Sequence, residues 1–196
     1  PEMGLETLIG KRFHVEVKIG DVDDSPERKF LGTCVEAEYM GLAQGYEMFA
    51  IETRPWLWFL TQATDNRIFQ DKTIPEIIKA VFSEHGFSDV SDKLSGSYQP
   101  RKYVVQYDET DFDFVQRLME EEGIYFFFDH SGTVEKLVLA DDRGAHQPIE
   151  GEAELEFKAR VMKSKREQNT VFEFGDRQKV RPGKVSLVDC NFENAR

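Results

Sequence analysis

The chain has 196 residues, 40% of them apolar and sixteen of them Phe, which is enough to bury a sizeable core in one large domain or two small ones and excludes disorder as the overall state. Its formal net charge of −12 argues against a nucleic-acid partner, because phosphate binding depends on clustered Lys and Arg. No apolar run approaches the roughly 20 residues of a bilayer span, and the opening "PEMGLETLIGKRF" lacks the basic start and apolar stretch of a signal peptide.

The segment "KRFHVEVKIG" alternates, with Phe13, Val15, Val17 and Ile19 on one face and His14, Glu16 and Lys18 on the other, the period of a half-buried strand. After the loop "GDVDDSP", "ERKFLGTCVEAEYM" reads as a second strand with Gly32 as its bulge, and "GYEMFAIETRP" alternates again. Pro55 restricts "RPWLWFL" to a strand edge or a short irregular turn. The period then changes. Ile74, Ile77, Ile78, Val81 and Phe82 recur at spacings of three and four, behind Thr73 as N-cap and Pro75 in the first turn, and Gly86 closes that helix. "GFSDVSDKLSGSYQP" is a polar loop, and "RKYVVQYDE" alternates as a strand.

A second helix is expected over 111–122, with Thr110 as N-cap, Asp111 and Asp113 favourably placed for the helix dipole, and Phe114, Val115, Leu118 and Met119 as its apolar stripe. Glu120 falls on the far side and Glu121 within reach of Arg117, whereas Glu122 projects toward the middle of the stripe. A carboxylate there is costly unless it reaches solvent or pairs with an arginine, Arg101 or Arg117. Gly123 is its C-terminal cap. "IYFFF" has no alternation and reads as a strand covered on both faces, joined through the turn "DHSG" to "LVLADD". "AELEFKARV", "TVFEFGD" and "GKVSLVDCNF" are candidate strands of the tail.

Little chemistry assembles from these residues. His14, His85, His130 and His146 have no metal-ligand spacing and read as surface or turn residues, and "DVDDSPE" lacks the calcium-loop pattern. Cys34 and Cys190 form no disulfide framework and are expected as reduced, buried thiols. No nucleophile elbow or phosphate loop is present, so no cofactor and no small-molecule substrate is expected. The remaining enzyme reading is a glycan hydrolase built on Glu122, Asp129 and the neighbouring phenylalanines. With 37 Asp and Glu in the chain, such proximity arises by chance.

The stretch "RKYVVQYDETDFDFVQRLMEEEGIYFFFDH" resembles the signature of the VgrG family, the spike proteins of type VI secretion, and of the related phage baseplate hub and late control D proteins. Upstream, "YEMFAIETRPWLWFLTQATDNRIFQDKTIPEIIKAVFSEHG" is similar to the same family, as are "LVLADD" and "RPGKVSLVDCNFENA" downstream. Cys190 and Asn191 depart from the usual ending of the last motif. The matched positions include Gln106, Tyr107, Thr110, Phe114, Arg117, Leu118, Glu122 and Gly123.

The resemblance implies an α+β, mainly β, phage-hub-like fold of two small β-barrel-like subdomains with intervening helices. Its approximate parts are residues 1–62, 63–122 and 123–196, and the OB and β-helix needle domains lie outside them. It implies a homotrimer that docks on an Hcp-like tube protein, meets baseplate components and effectors, and has no enzymatic activity. Such a protein is cytoplasmic before firing and then secreted by the contractile apparatus without a signal peptide. The alternative is the hub of a phage or prophage contractile tail. Trimerisation multiplies the acidic charge, so the interfaces are expected to be apolar or paired.

Overall fold

A computed structural model of the chain describes residues 4–18, 27–147, 154–157, 170–171, 173–180 and 182–186. The chain falls into two units, Pro1–Ile149 and Glu150–Arg196. The class is α+β and mainly strand.

The first sheet has the order β1 (Arg12–Lys18), β2 (Glu27–Ala43), β3 (Tyr46–Arg54), antiparallel throughout. Gln44 and Gly45, at φ 54° and 84°, close the β2–β3 hairpin in the tight turn whose twist matches the strands. The alternation of β1 is real, but its apolar face is open: Val15 and Val17 are exposed, and Ile19 lies outside the described residues. Gly32 is not a bulge. It pairs regularly with Phe13, and an added Cβ would sit 3.2 Å from Arg54 O and 3.2 Å from the Thr53 Cβ, so glycine serves a close approach of β3. The register breaks come later, between Cys34 and Glu36 and between Tyr39 and Gly41, the second at a glycine with φ of 90°.

After Pro55 the chain enters a 3-10 helix, Trp56–Gln62, that buries Trp56, Leu57 and Leu60. Of the two expectations for this segment, the turn describes it better than the strand edge, since Pro55 is the N-cap and tertiary burial extends the turn to seven residues. β4 (Thr64–Phe69) pairs antiparallel with β6 (Val104–Thr110). Between them α1 (Ile74–Glu84) starts in a reciprocal capping box of Thr73 and Glu76, and Gly86 follows at φ 76°. The polar loop after α1 contains a strand absent from the sequence reading, β5 (Val90–Lys93), which runs parallel to β8 (Lys136–Ala140). Four residues with no apolar period become a strand because a neighbouring edge supplies their hydrogen bonds.

α2 (Asp111–Glu122) follows Thr110, whose hydroxyl accepts from Asp113 N at 3.0 Å. It ends at Gly123, φ 70°. β7 (Tyr125–Asp129) pairs with β8 on the opposite side from β5. This reverses the expectation for "IYFFF". β7 is a half-buried edge strand, and β8, central in its sheet, is the covered one, with Leu137, Leu139 and Ala140 fully buried. The connection between them is longer than a four-residue turn, spanning residues 130–135, and Gly132 has no positive φ.

The core packs Trp56, Leu57 and Leu60 of the 3-10 helix against Ile74, Ile77, Ile78, Val81 and Phe82 of α1, the stripe of α2, and Leu137 and Leu139 of β8. Trp56 stands edge-on to Phe82 and stacks with Phe87 at 4.5 Å. Cys34 is buried and free, and Cys190 lies outside the described residues. Among the described residues the strands form open sheets, with no closed barrel. In the second unit β9 (Glu156–Phe157) and β10 (Thr170–Val171) pair in parallel. Residues 183–186 of the expected last strand carry no regular structure, and its remainder lies outside the described residues.

Candidate functional site

Four elements meet at one carboxylate. Asp111 begins α2 with its side chain 3% exposed, and its backbone N–H is held by Ala63 O at 2.9 Å. Gln106 Nε2, from the inner face of β6, donates to Asp111 Oδ1 at 2.7 Å, and Arg67 Nη2, from β4, shares the same oxygen. His85 Nε2, just past α1, lies 2.5 Å from Oδ2. Gln106 is fully buried and satisfied: its Oε1 accepts from Arg67 Nε at 2.9 Å and its Nε2 also reaches Glu109 O at 3.2 Å. Arg67 extends the network to Glu84 of α1 through Nη1.

Burial by itself would push the Asp111 carboxyl up. The hydrogen bonds from Gln106 and His85 and the positive charge of Arg67 outweigh it and hold the group below the ordinary aspartate range. An Asp–His pair invites a catalytic reading, but every acceptor of this carboxylate faces a structural donor, and the imidazole ring stacks on Phe87 at 6.1 Å. The arrangement locks β4, β6, α1 and α2 together. Sequence reasoning read His85 as a surface or turn residue, and it does stand at the turn that ends α1, but its bond to Asp111 was not foreseen, and Asp111 was assigned to the helix dipole alone. The signal present in the chain was a basic residue alternating inward on a strand, Arg67, opposite Gln106 on its partner.

The other matched positions surround this junction. Phe114 and Leu118 are buried, Phe114 stacking on Phe69 at 5.8 Å. Tyr107 points outward with Ile68, Tyr103 and Val105 and is exposed. Arg117 donates to Glu109 at 2.6 Å and to Val105 O at 3.2 Å, and lies 3.6 Å from Glu121. Glu122 therefore pairs with Arg101 rather than Arg117, at 2.6 Å, and the pair is half exposed, 47% for the arginine and 21% for the acid. Glu120 accepts from Gln116 at 3.0 Å.

A second carboxylate is saturated by a loop. Asp141 accepts from Ser95 N at 2.9 Å, Ser95 Oγ at 2.9 Å, Gly96 N at 2.6 Å and Tyr98 OH at 2.8 Å. The backbone N–H of Ser95, with the Tyr98 hydroxyl and the Gly96 N–H, holds it far below the usual range. Burial first, then the neighbouring Asp141, pushes the Tyr98 hydroxyl well above that of a free tyrosine. Glu135, almost fully buried and missed by the sequence reading, accepts from Trp56 N at 3.2 Å and so caps the 3-10 helix. His130 also has a structural part, since its Nδ1 accepts from Leu31 N at 3.0 Å, where β2 extends past the end of β3.

These groups do not form a reaction centre. Asp129, one of the two acids considered for glycan hydrolysis, is held below its usual range by Ser131 N and hydroxyl, whereas a general acid needs a raised value. Glu122 is committed to Arg101. The groove beside α2 lined by Arg101, Tyr103, Val105, Arg117 and Glu121 has a volume of only about 200 Å³, below the usual size of a small-molecule site. Among the described residues no cluster of His, Cys, Asp and Glu is placed to hold a metal, and no helix is long and apolar enough to cross a membrane.

A family model described as the phage tail baseplate hub (GPD) matches residues 1–196. The chain belongs to the phage tail baseplate hub family. The matched domain is a structural hub domain rather than an enzyme, which removes the hydrolase reading. The chain is 38% identical over 193 residues to the type VI secretion system spike protein VgrG1b of Pseudomonas aeruginosa, covering 98% of this chain and 26% of that protein. It is 37% identical to VgrG1a of the same organism, covering 98% of this chain and 29% of the relative. The hub domain thus spans about a quarter of the length of the curated relatives it matches. Among solved structures it is similar to the E. coli c3393 protein, described as a component of the type VI secretion system with structural similarity to the T4 bacteriophage tail proteins gp27 and gp5. That similarity has a TM-score of 0.58 and 29% identity, over 61% of this chain and 35% of the other.

Proposed function

We propose that this hub domain is the structural base of a type VI secretion spike, assembling as a homotrimer and docking on an Hcp-like tube so that the spike punctures target membranes and delivers effectors. The observation that carries the reading is the 38% identity to a spike protein over 98% of the chain, joined to a polar junction whose carboxylate serves packing rather than chemistry. A domain that transmits thrust needs elements that do not slide. Asp111 ties two strands and two helices at one point.

The two barrel-like subdomains, the division into residues 1–62, 63–122 and 123–196, and the part played by Gln106, Tyr107, Thr110, Phe114, Arg117, Leu118, Glu122 and Gly123 as the signature of the corner belong to this reading. So do contacts with baseplate components and effectors, and a cytoplasmic protein exported by contraction without a signal peptide. The related reading, a hub in a phage or prophage contractile tail, is favoured by the description of the matching family itself and keeps the same domain architecture with a different tube.

The test is the mass in solution of the full-length protein, followed by co-sedimentation with purified tube rings of each system. A trimer that sediments with the secretion tube is expected. A strict monomer at full length overturns the hub assembly, and a trimer that sediments with the phage tube alone favours the second reading.

A further inference from the structure

β2 runs past both of its neighbours. β1 covers its first half, from Lys18↔Glu27 to Arg12↔Thr33, and β3 covers its second half, from Thr33↔Arg54 to Ala43↔Tyr46. Beyond residue 34 the sheet is therefore a two-stranded ribbon about 30 Å long at the rise of a strand. A two-stranded hairpin alone is marginal in water. This one carries Met40, Leu42, Tyr46 and Met48 at 44% to 75% exposure, and its register shifts at two points.

The charge of the sheet is divided along its length. Residues 34–53 hold four acids, Glu36, Glu38, Glu47 and Glu52, and no Lys or Arg. The root, residues 11–18 and 27–33, holds Lys11, Arg12, Lys18, Arg28 and Lys29 against Glu16 and Glu27. Apolar side chains sit beside those cations as well: Val15, Val17 and Phe30 are 43% to 52% exposed. The ribbon and the root lie at opposite ends of one continuous strand, so a ribbon does not reach the root of its own chain.

We propose that the acidic ribbon of one copy docks on the basic root of the next, head to tail. The contact rests on the trimeric reading above and names its surfaces. A ring of three closes through two different, complementary patches on each chain, and this sheet presents such a pair. Complementary charge also offsets the mutual repulsion of chains that each carry −12.

Sedimentation of the 196-residue chain over a concentration series tests the contact. The ribbon reversal E36K/E38K and the root reversal R12E/R28E are each expected to weaken self-association about tenfold or more, and the chain carrying all four is expected to recover it. These side chains lie at the surface, so unchanged circular dichroism melts verify that each variant folds. In parallel, a chain with Met40→Cys is mixed with one carrying Val15→Cys, both with Cys190→Ser, and treated with a short bismaleimide. The expected product is a pair of unlike chains, absent from either variant alone. An oligomer that withstands both reversals overturns the ribbon contact while leaving the hub reading intact. A chain that stays monomeric at every concentration and gives no mixed product overturns it as well. If the ribbon reversal spares self-association but abolishes co-sedimentation with the tube, the ribbon belongs to the tube and the proposal is wrong.

Discussion

Asp111 joins β4, β6, α1 and α2 through one buried carboxylate. Breaking a buried charge pair by deleting one partner costs about 3 to 5 kcal/mol, and Asp111→Ala would remove the acceptor that Gln106, Arg67 and His85 share. A loss of about 3 kcal/mol in urea unfolding is expected, and a loss under 1 kcal/mol, by the same scale, would show that the junction is not stabilising. Because the folded carboxyl titrates below its unfolded value of about 4, its contribution is complete above that pH and disappears as pH falls through the folded value. Acid unfolding of Asp111→Asn should accordingly show a shallower pH dependence than the parent. Glu122 contrasts with it. Its pair with Arg101 is half exposed, and pairs of that kind contribute about 1 kcal/mol or less, so Glu122→Ala should cost no more than that. The sequence showed that Glu122 leans toward the core and needs a partner. The choice between Arg101 and Arg117 depended on Glu109, which occupies Arg117 first.

α2 is the element whose limits follow most directly from local chemistry. Thr110 caps it by a hydrogen bond to Asp113 N, and Gly123 ends it at φ 70°. Thr110→Ala and Gly123→Ala are each expected to cost about 1 kcal/mol, the first through an orphaned N–H and the second through a strained left-handed backbone. A melt that moves with one and not the other would locate the weaker end. The loop of Ser95, Gly96 and Tyr98 was legible as polar and nothing more, because Asp141, the group that organises it, lies more than forty residues away. Tyr98 should titrate above the ordinary tyrosine value of about 10 in a spectrophotometric titration. Since its folded value is raised, its contribution to stability is complete below that pH and falls as pH rises toward the folded value. Asp141→Asn should bring Tyr98 back toward the ordinary value and speed amide exchange at Ser95 and Gly96.

For the whole molecule, the core residues from Trp56 to Leu139 all lie within Pro1–Ile149. A chain of residues 1–149 is therefore expected to unfold in one cooperative urea transition, and a broad, non-cooperative loss of signal would contradict a self-sufficient core. The first sheet differs from that core. Its alternation was readable, but alternation predicts a covered face, and within the described residues Val15, Val17, Met40, Leu42, Tyr46 and Met48 are exposed. In a structural protein of this family, such surfaces are where assembly is to be sought.

Local rules were sufficient wherever a single turn or period decides the outcome. They determined both α-helices, the caps Thr73 and Thr110, the closing glycines and the alternation of β1, because capping and periodicity act over a few residues and are written consecutively in the chain. Tertiary structure decided which strand is covered. "IYFFF" is the more aromatic run, yet β8 is the buried strand because β5, drawn from a polar loop, completes its other edge. Long-range pairing also turned Asp111, Arg67, Gln106 and His85 from unrelated surface-type residues into one junction. A carboxylate is stable in the interior when donors from several elements arrive at it together, and that convergence exists only once the chain has folded.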